Sequence, residues 1–387
     1  MKENVLSGTR NVAIVGPYLS GKTTLLESLL FVTGATTRKG KITERNTVGD
    51  ASPEARDRQM SVEVNAASTE YGGVCFTFLD CPGSIEFVQE TLNALMGVDA
   101  AIVVCEPVSD RVMTLAPLFK FLDDHEIPHL VFVNKMDRAD VDINDVLQAL
   151  KTVSSRPLVA HQYPIGRGEN LVGFIDLVSE QAYHYHPGAP ADPVPLPDAL
   201  KDQEKLARSE MLETLADFDD HLLEELLEDI EPPQDEILKD LKMELGADQI
   251  VPVFVGVADR DFGVRPLLEA LLRESPEPED TTEHRGIATD ETALAQVLKT
   301  YHTPQGGKLS LVRVWQGTIT DGMSLNGVRV GGIYRLMGQQ QNNLNQAQAG
   351  NIVALGRLEG IQTGDTLSSG NAEQMQALPR AEALAPV

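Results

Sequence analysis

The 387-residue sequence has little cysteine, little positive charge and no long apolar run. Its three cysteines, Cys75, Cys81 and Cys105, are odd in number and lack metal-ligand spacing, which excludes a disulfide framework and points to reduced thiols in a reducing compartment. Lys and Arg number 32 against 58 Asp and Glu, a formal net charge of −26, so a diffuse basic nucleic-acid footprint is missing. Any RNA partner has to be met through a small patch or specific loops. No stretch approaches the roughly 18 apolar residues of a membrane span, and the opening "MKENVLSGTR" has no apolar secretion segment. A cytoplasmic, monomeric protein with no membrane or DNA partner is the expectation.

What is present is organised in blocks, as two or three domains would be at this length. From about 11 to 153, the apolar runs "NVAIVG", "VCFTFLD", "DAAIVVCE" and "HLVFVNK" alternate with helical patterns. That predicts an α/β sheet of buried parallel strands with helices on both faces. From about 155 to 250 the pattern changes: "RPLVAHQYPIG" and "LVGFIDLV" are strand-like, "HPGAPADPVPLPDA" reads as a Pro-rich loop, and "EMLETLADFDDHLLEELLEDI" is a long amphipathic helical stretch. Residues 198–248 hold 18 acids and five Lys or Arg, a net of −13 and half of the chain's excess; they read as solvated helix faces. The sheet resumes with "QIVPVFVGVA" and the helix "VRPLLEALLRE". "SPEPEDTTEHRGIATDET" is expected to be a linker, and the short strands and glycine turns from 293 onward a small antiparallel barrel. The polar "QQQNNLNQAQ" is expected to be a loop in it.

The chemistry begins at residues 16–24, "GPYLSGKTT", which fit G-x-x-x-x-G-K-[ST] between a strand and a helix. Gly16, Pro17, Tyr18, Leu19, Ser20 and Gly21 would wrap a polyphosphate with backbone N–H groups, and the helix start at Lys22, Thr23 and Thr24 adds a favourable dipole. Lys22 would reach the β/γ-phosphates and Thr23 would ligate Mg²⁺. "NKMD", 134–137, follows the strand "HLVFV" at the carboxyl end of the sheet. The Asp137 carboxylate can accept both the N1–H and the exocyclic amine of guanine, a pair adenine does not offer. Asn134 and Lys135 frame the base. "DCPG", 80–83, ends another strand: Asp80 can hold Mg²⁺ through water and the Gly83 N–H can meet the γ-phosphate, with Cys81 and Pro82 between them. Upstream, "GDASPEARDRQMSVEV" is expected to be a mobile loop in which Ser61 offers a hydroxyl to the metal or is an ordinary strand-entry serine.

At these positions the set resembles the translational GTPases, most closely elongation factor G. "NKMDR", "DCPGSIEFVQETLNALMGVDAAIVV", "YPIGRGENLVGFIDLV", "VFVGVADRDFGVRPLLEAL" and the barrel ending "TGDTL" carry the resemblance over nearly all of the chain. It implies a P-loop GTPase doubly wound sheet (1–154 and 250–275), an inserted α+β subdomain (155–249), a linker (276–292) and a β-barrel second domain (293–387). It also implies GTP and GDP with Mg²⁺ as ligands and the ribosome, through its RNA and stalk proteins, as partner. Three further domains follow this unit in the family, so a chain ending at "ALAPV" is expected to be an N-terminal part, unable to drive translocation alone.

Several positions depart from the family pattern. Ser84 stands where elongation factor G has a histidine that ribosomal RNA orients toward the attacking water. A serine is shorter and uncharged, and losing a positioned group of that kind costs on the order of 10² to 10⁴ in rate. Leu19 replaces an aspartate that helps bind a monovalent cation, "RQMS" replaces Arg-Gly-Ile-Thr, and "GVA", 256–258, replaces Gly-Ser-Ala. Val257 loses a hydroxyl but keeps, with Ala258, the backbone N–H groups expected to read guanine O6. Two readings stay open: a ribosome-stimulated GTPase in which Lys22, Gly83 and Ser84 serve catalysis, and a GTP-dependent binding module with little or no hydrolysis. "HYH" at 184–186 lacks a third metal ligand nearby and reads as a strand face, and Trp315 reads as barrel core.

Overall fold

The β-branched apolar runs form strands that are buried along almost their whole length, as the interior of a parallel sheet requires. The computed structural model describes residues 8–50, 52–138, 140–287, 292–302, 307–370 and 377–383. It divides into two compact units, Met1–Val15 with Arg38–Asp99 and Glu277–Val387, and Gly16–Thr37 with Ala100–Pro276.

In the second unit, strands Ala100–Cys105, His129–Val133, Val251–Val255 and Leu158–Ala160 lie in that order, all parallel. The helices of this unit include Lys22–Val32, Ala116–Asp124, Ile143–Lys151 and Val264–Arg273. The insert contributes a four-stranded antiparallel sheet, Gln162–Ile165, Gly173–Asp176, Gln181–His186 and Ala189–Val194, and the helices Lys201–Ala216, Asp220–Leu227 and Gln234–Gly246. Two expectations change here. The Pro-rich loop contains the strand Ala189–Val194, which tolerates Pro190 and Pro193 because it is the sheet's edge. The long amphipathic stretch is two helices, because the Asp219 carboxylate caps a new start by accepting from the His221 and Leu222 amides at 2.7 and 3.2 Å.

In the first unit, Thr9–Val15 pairs in parallel with Val74–Asp80, which pairs antiparallel with Asn65–Tyr71. Gly72 and Gly73, with φ of +58° and +80°, close that hairpin with the two positive φ values a tight two-residue turn needs. The barrel strands Leu294–His302, Lys308–Gln316, Ile352–Gly356 and Ile333–Met337 are antiparallel around a core that includes Val297, Val312, Val314 and Leu355. Trp315, expected in that core, is instead buried on the other face of its strand, beside Arg313: Val312 and Val314 take the core side, and the guanidinium groups of Arg285 and Arg313 each lie 4.8 Å from the Trp315 ring.

Three expectations are corrected in this unit. "QQQNNLNQAQ" is not a loop: Gln340–Leu344 and Gln346–Gln348 are exposed strands, the first paired with Ile333–Met337. The loop 49–64 carries the helix Pro53–Arg58, started by Ser52, whose hydroxyl accepts from the Ala55 amide at 3.2 Å. The linker carries the helix Pro278–His284, opened by a capping box between Glu277 and Asp280; residues 288–291 of that segment lie outside the described residues. All three cysteines are buried. No helix among the described residues is long and apolar enough to cross a membrane.

Candidate nucleotide site

In the second unit, glycine is required at both ends of the phosphate loop. A side chain at Gly16, φ +140°, would stand 2.2 Å from the Val104 carbonyl oxygen, and one at Gly21, φ +98°, 2.3 Å from Asn134 Nδ2. Between them every carbonyl is committed to the protein. Lys22 Nζ donates to Pro17 O at 3.0 Å, Arg111 to Tyr18 O at 3.4 Å, Lys135 Nζ to Leu19 O at 2.5 Å and Asn134 Nδ2 to Ser20 O at 2.9 Å. With its oxygens held, the loop presents amide hydrogens as its ligand-binding groups, joined by the first N–H groups of the Lys22–Val32 helix, the donors that a helix start turns toward an outside acceptor. Lys22 and Thr23 are buried at its start, Thr24 is half-buried, and Tyr18 and Leu19 are exposed.

The loop after the His129–Val133 strand is built around one amide. Asn134 Oδ1 accepts from the backbone N–H of Lys135 and of Ala258, both at 2.9 Å, while its Nδ2 holds Ser20. It thereby ties the phosphate loop to the loop after Val251–Val255. Asp137 pairs with Arg260 at 3.3 Å through one oxygen; its Oδ1 is buried without a hydrogen-bond partner. An unpaired buried carboxylate oxygen is costly and points to a donor supplied by a ligand.

The Val257–Ala258 amides differ from expectation. The Val257 N–H donates to Phe262 O at 3.0 Å, because its loop closes on itself, and the Ala258 N–H to Asn134 on the neighbouring loop at 2.9 Å, so neither amide is the open donor expected for guanine O6. Two supports were not foreseen. Glu106, at the end of Ala100–Cys105, pairs with Lys135 at 2.6 Å and Arg111 at 2.7 Å, the two side chains that hold Leu19 and Tyr18. Its place at the carboxyl end of a parallel strand was the available signal. Beside it, burial first and Glu106 second push the Cys105 thiol up to about 12, leaving it unreactive.

The first unit carries the remaining predicted residues. Asp80 is fully buried at the end of its strand, the Cys81 amide donates to Ile14 O at 3.1 Å, and Thr91 donates to Pro82 O at 2.9 Å. Gly83 and Ser84 are half-buried; Ser84 precedes the short turn Ile85–Phe87 in extended conformation, and its hydroxyl makes no capping bond. Ile85 beside it is 80% exposed. Ser61 lies in coil ahead of Asn65–Tyr71 and donates its hydroxyl proton to Asp50 at 2.7 Å. Thr23, Ser61 and Asp80 are all hard oxygen donors, the chemistry that suits Mg²⁺. His184 and His186 lie 5.2 Å apart on their strand, and among the described residues neither belongs to a three-ligand group.

Known proteins match the chain along its length. The family described as "Elongation factor Tu GTP binding domain" matches residues 7–277, and "Elongation factor G domain 2" matches residues 292–370. The chain is 61% identical over 380 residues to the "Elongation factor G-like protein" of Synechocystis sp., covering 98% of this chain and 56% of that protein. It is 28% identical to "Elongation factor G 2" of Geobacter metallireducens, over 95% of this chain and 56% of that protein. A crystal structure of a Thermus thermophilus protein superposes with a TM-score of 0.84 at 30% identity, over 97% of this chain and 56% of that one. The chain thus spans a little over half the length of the relatives it matches.

Proposed function

Since the chain belongs to the translational GTPases of the elongation factor G type, with an elongation factor Tu GTP-binding domain followed by elongation factor G domain 2, we propose that it is the guanine-nucleotide switch of a factor that acts on the ribosome in the cytoplasm and hydrolyses GTP to GDP and phosphate. The buried, unpartnered Oδ1 of Asp137, next to the Asn134 amide that ties two loops together, is the observation that carries this reading. Asp137 accepts from the base, Asn134 and Lys135 hold the loops, and the 16–24 loop binds the phosphates with Lys22 countering their charge. Asp80, Thr23 and Ser61 are assigned to Mg²⁺, which when bound neutralises charge on the β- and γ-phosphates. The Gly83 amide senses the γ-phosphate, and Ser84 orients water. The division at 1–154 with 250–275, 155–249, 276–292 and 293–387 is part of the proposal, as are ribosomal RNA and stalk proteins as partners and a monomeric state.

A second reading, a GTP-dependent binding module with little hydrolysis, is favoured by Ser84 itself. Its uncharged hydroxyl, without a capping bond, cannot supply the stabilisation of a charged or proton-accepting ring. Single-turnover GTP hydrolysis by the parent protein, with and without ribosomes, separates the two. Strong stimulation supports the GTPase; tight binding without stimulation supports the module; absence of GTP and GDP binding refutes both.

A further inference from the structure

At the opposite ends of the strands that deliver the nucleotide loops, three ligand-type side chains converge. His129 is the first residue of His129–Val133, Asp123 lies in the last turn of Ala116–Asp124, and Asp248 lies between Gln234–Gly246 and Val251–Val255. One donor atom of each is within 4.8 Å of the other two. Each side chain also has one polar atom fixed from outside the group. His129 Nδ1 faces the Ile127 carbonyl at 3.0 Å, Ser155 donates to Asp123 Oδ2 at 2.5 Å, and Arg156 donates to Asp248 Oδ2 at 3.0 and 3.3 Å.

Three polar atoms of these side chains have no such partners. His129 Nε2, Asp123 Oδ1 and Asp248 Oδ1 are buried without a hydrogen bond; His129 is 0% and Asp248 1% exposed, and Asp248 Oδ1 approaches the ring at Nδ1, 3.5 Å away. Buried polar atoms without partners are uncommon in folded proteins, and three in one cluster call for a shared occupant. With its proton on Nδ1 and aimed at a carbonyl, the imidazole carries a lone pair on Nε2. Outer contacts of this kind, a carbonyl on the ring and donors on the second carboxylate oxygens, orient metal ligands.

We propose that Asp123, His129 and Asp248 form a structural site for Zn²⁺ or a similar divalent transition metal, with water completing the shell. One imidazole nitrogen and two carboxylate oxygens suit that ion. The site would clamp the last turn of a helix to the starts of two central strands. Asn134 lies a five-residue strand away, about 16 Å at a strand's rise, so the metal acts on stability and not on the base.

The test uses the full chain, stripped with chelator and held with GDP and excess Mg²⁺, titrated with Zn²⁺ by calorimetry and followed by thermal melting. One Zn²⁺ per chain is expected at a site that survives His221→Ala, a change in the exposed group of His221, Glu225 and Glu236. The melting temperature should rise with Zn²⁺. Asp248→Asn and the milder Asp123→Asn should each weaken binding at least tenfold while GDP affinity moves less than twofold. In a Co²⁺-loaded sample, the visible bands should disappear with Asp248→Asn. Zn²⁺ binding abolished by His221→Ala alone, no stoichiometric binding, or unchanged binding in both aspartate variants would overturn the proposal.

Discussion

The loops assigned to the base and the phosphates are cross-tied by their own side chains, whereas in the segment assigned to the γ-phosphate the Ser84 hydroxyl makes no capping bond. Asn134, Lys135, Arg111 and Glu106 bind one another or the backbone of residues 18–20. From Cys81 to Ser84 the anchors include the Cys81 amide on Ile14, the Cys81 thiol on the Leu79 carbonyl, the Thr91 hydroxyl on the Pro82 carbonyl and the Phe87 amide on the Ser84 carbonyl. Selecting a nucleotide is thus spread over many interdependent groups, each costly to change. The side chain at position 84 is held by nothing comparable, so it can differ without cost to the fold. On the proposed function, the binding loops can then stay unchanged while position 84 varies.

The largest effect that tests this contrast is Ser84→His in the parent protein. Single-turnover hydrolysis with ribosomes should rise by about 10² to 10⁴, the usual contribution of a positioned acid–base group, with GTP affinity unchanged. No rise would mean that position 84 does not limit the step.

Asn134→Ala should act on the cross-tied half. It removes three hydrogen bonds, each worth about 1 kcal/mol, so GTP and GDP should both bind about 10²-fold more weakly with their ratio unchanged. A loss confined to GTP, read by equilibrium binding, would break the assignment of Asn134 to the shared framework.

Glu244→Gln is the smallest and serves as a control outside both halves. Burial, then Asp240, then Asp219 push the Glu244 carboxyl up from 4.5 to about 8. The unfolded chain gives up this proton near 4.5, so between there and pH 8 the folded state holds more protons and stability falls as pH rises. Neutral glutamine removes that slope. The variant should be more stable than the wild type at pH 8 and equal to it near pH 4, by denaturant melts, with nucleotide affinity untouched.

Much of this was legible because some side-chain spacings have one physical use. The glycines at 16 and 21 and the helix start at Lys22 are where the backbone demands them, and Asn134 to Asp137 follow a buried strand at its ligand-binding end. What stayed hidden leaves little trace in local pattern. "NAASTEY" forms a central strand without apolar alternation, and "QQNNL" forms an exposed strand polar on both faces. Pro190 and Pro193 hide an edge strand that pairs on one side only. Glu106 accepts from Lys135 and Arg111, and Arg111 donates to the Tyr18 carbonyl, contacts that no residue type announces. The Val257 amide is engaged because a turn closes on Phe262 and the Ala258 amide because the Asn134 side chain reaches it from another loop, neither of which spacing encodes.

Whether Asp137 reads guanine is settled by competition between GTP and ATP for the chain, in wild type and Asp137→Asn. Strong preference for GTP is expected in the wild type, with about 10² or more of that preference lost in the variant, because a charge-assisted pair of hydrogen bonds is broken. Equal binding of ATP by the wild type, or unchanged selectivity in Asp137→Asn, would contradict it.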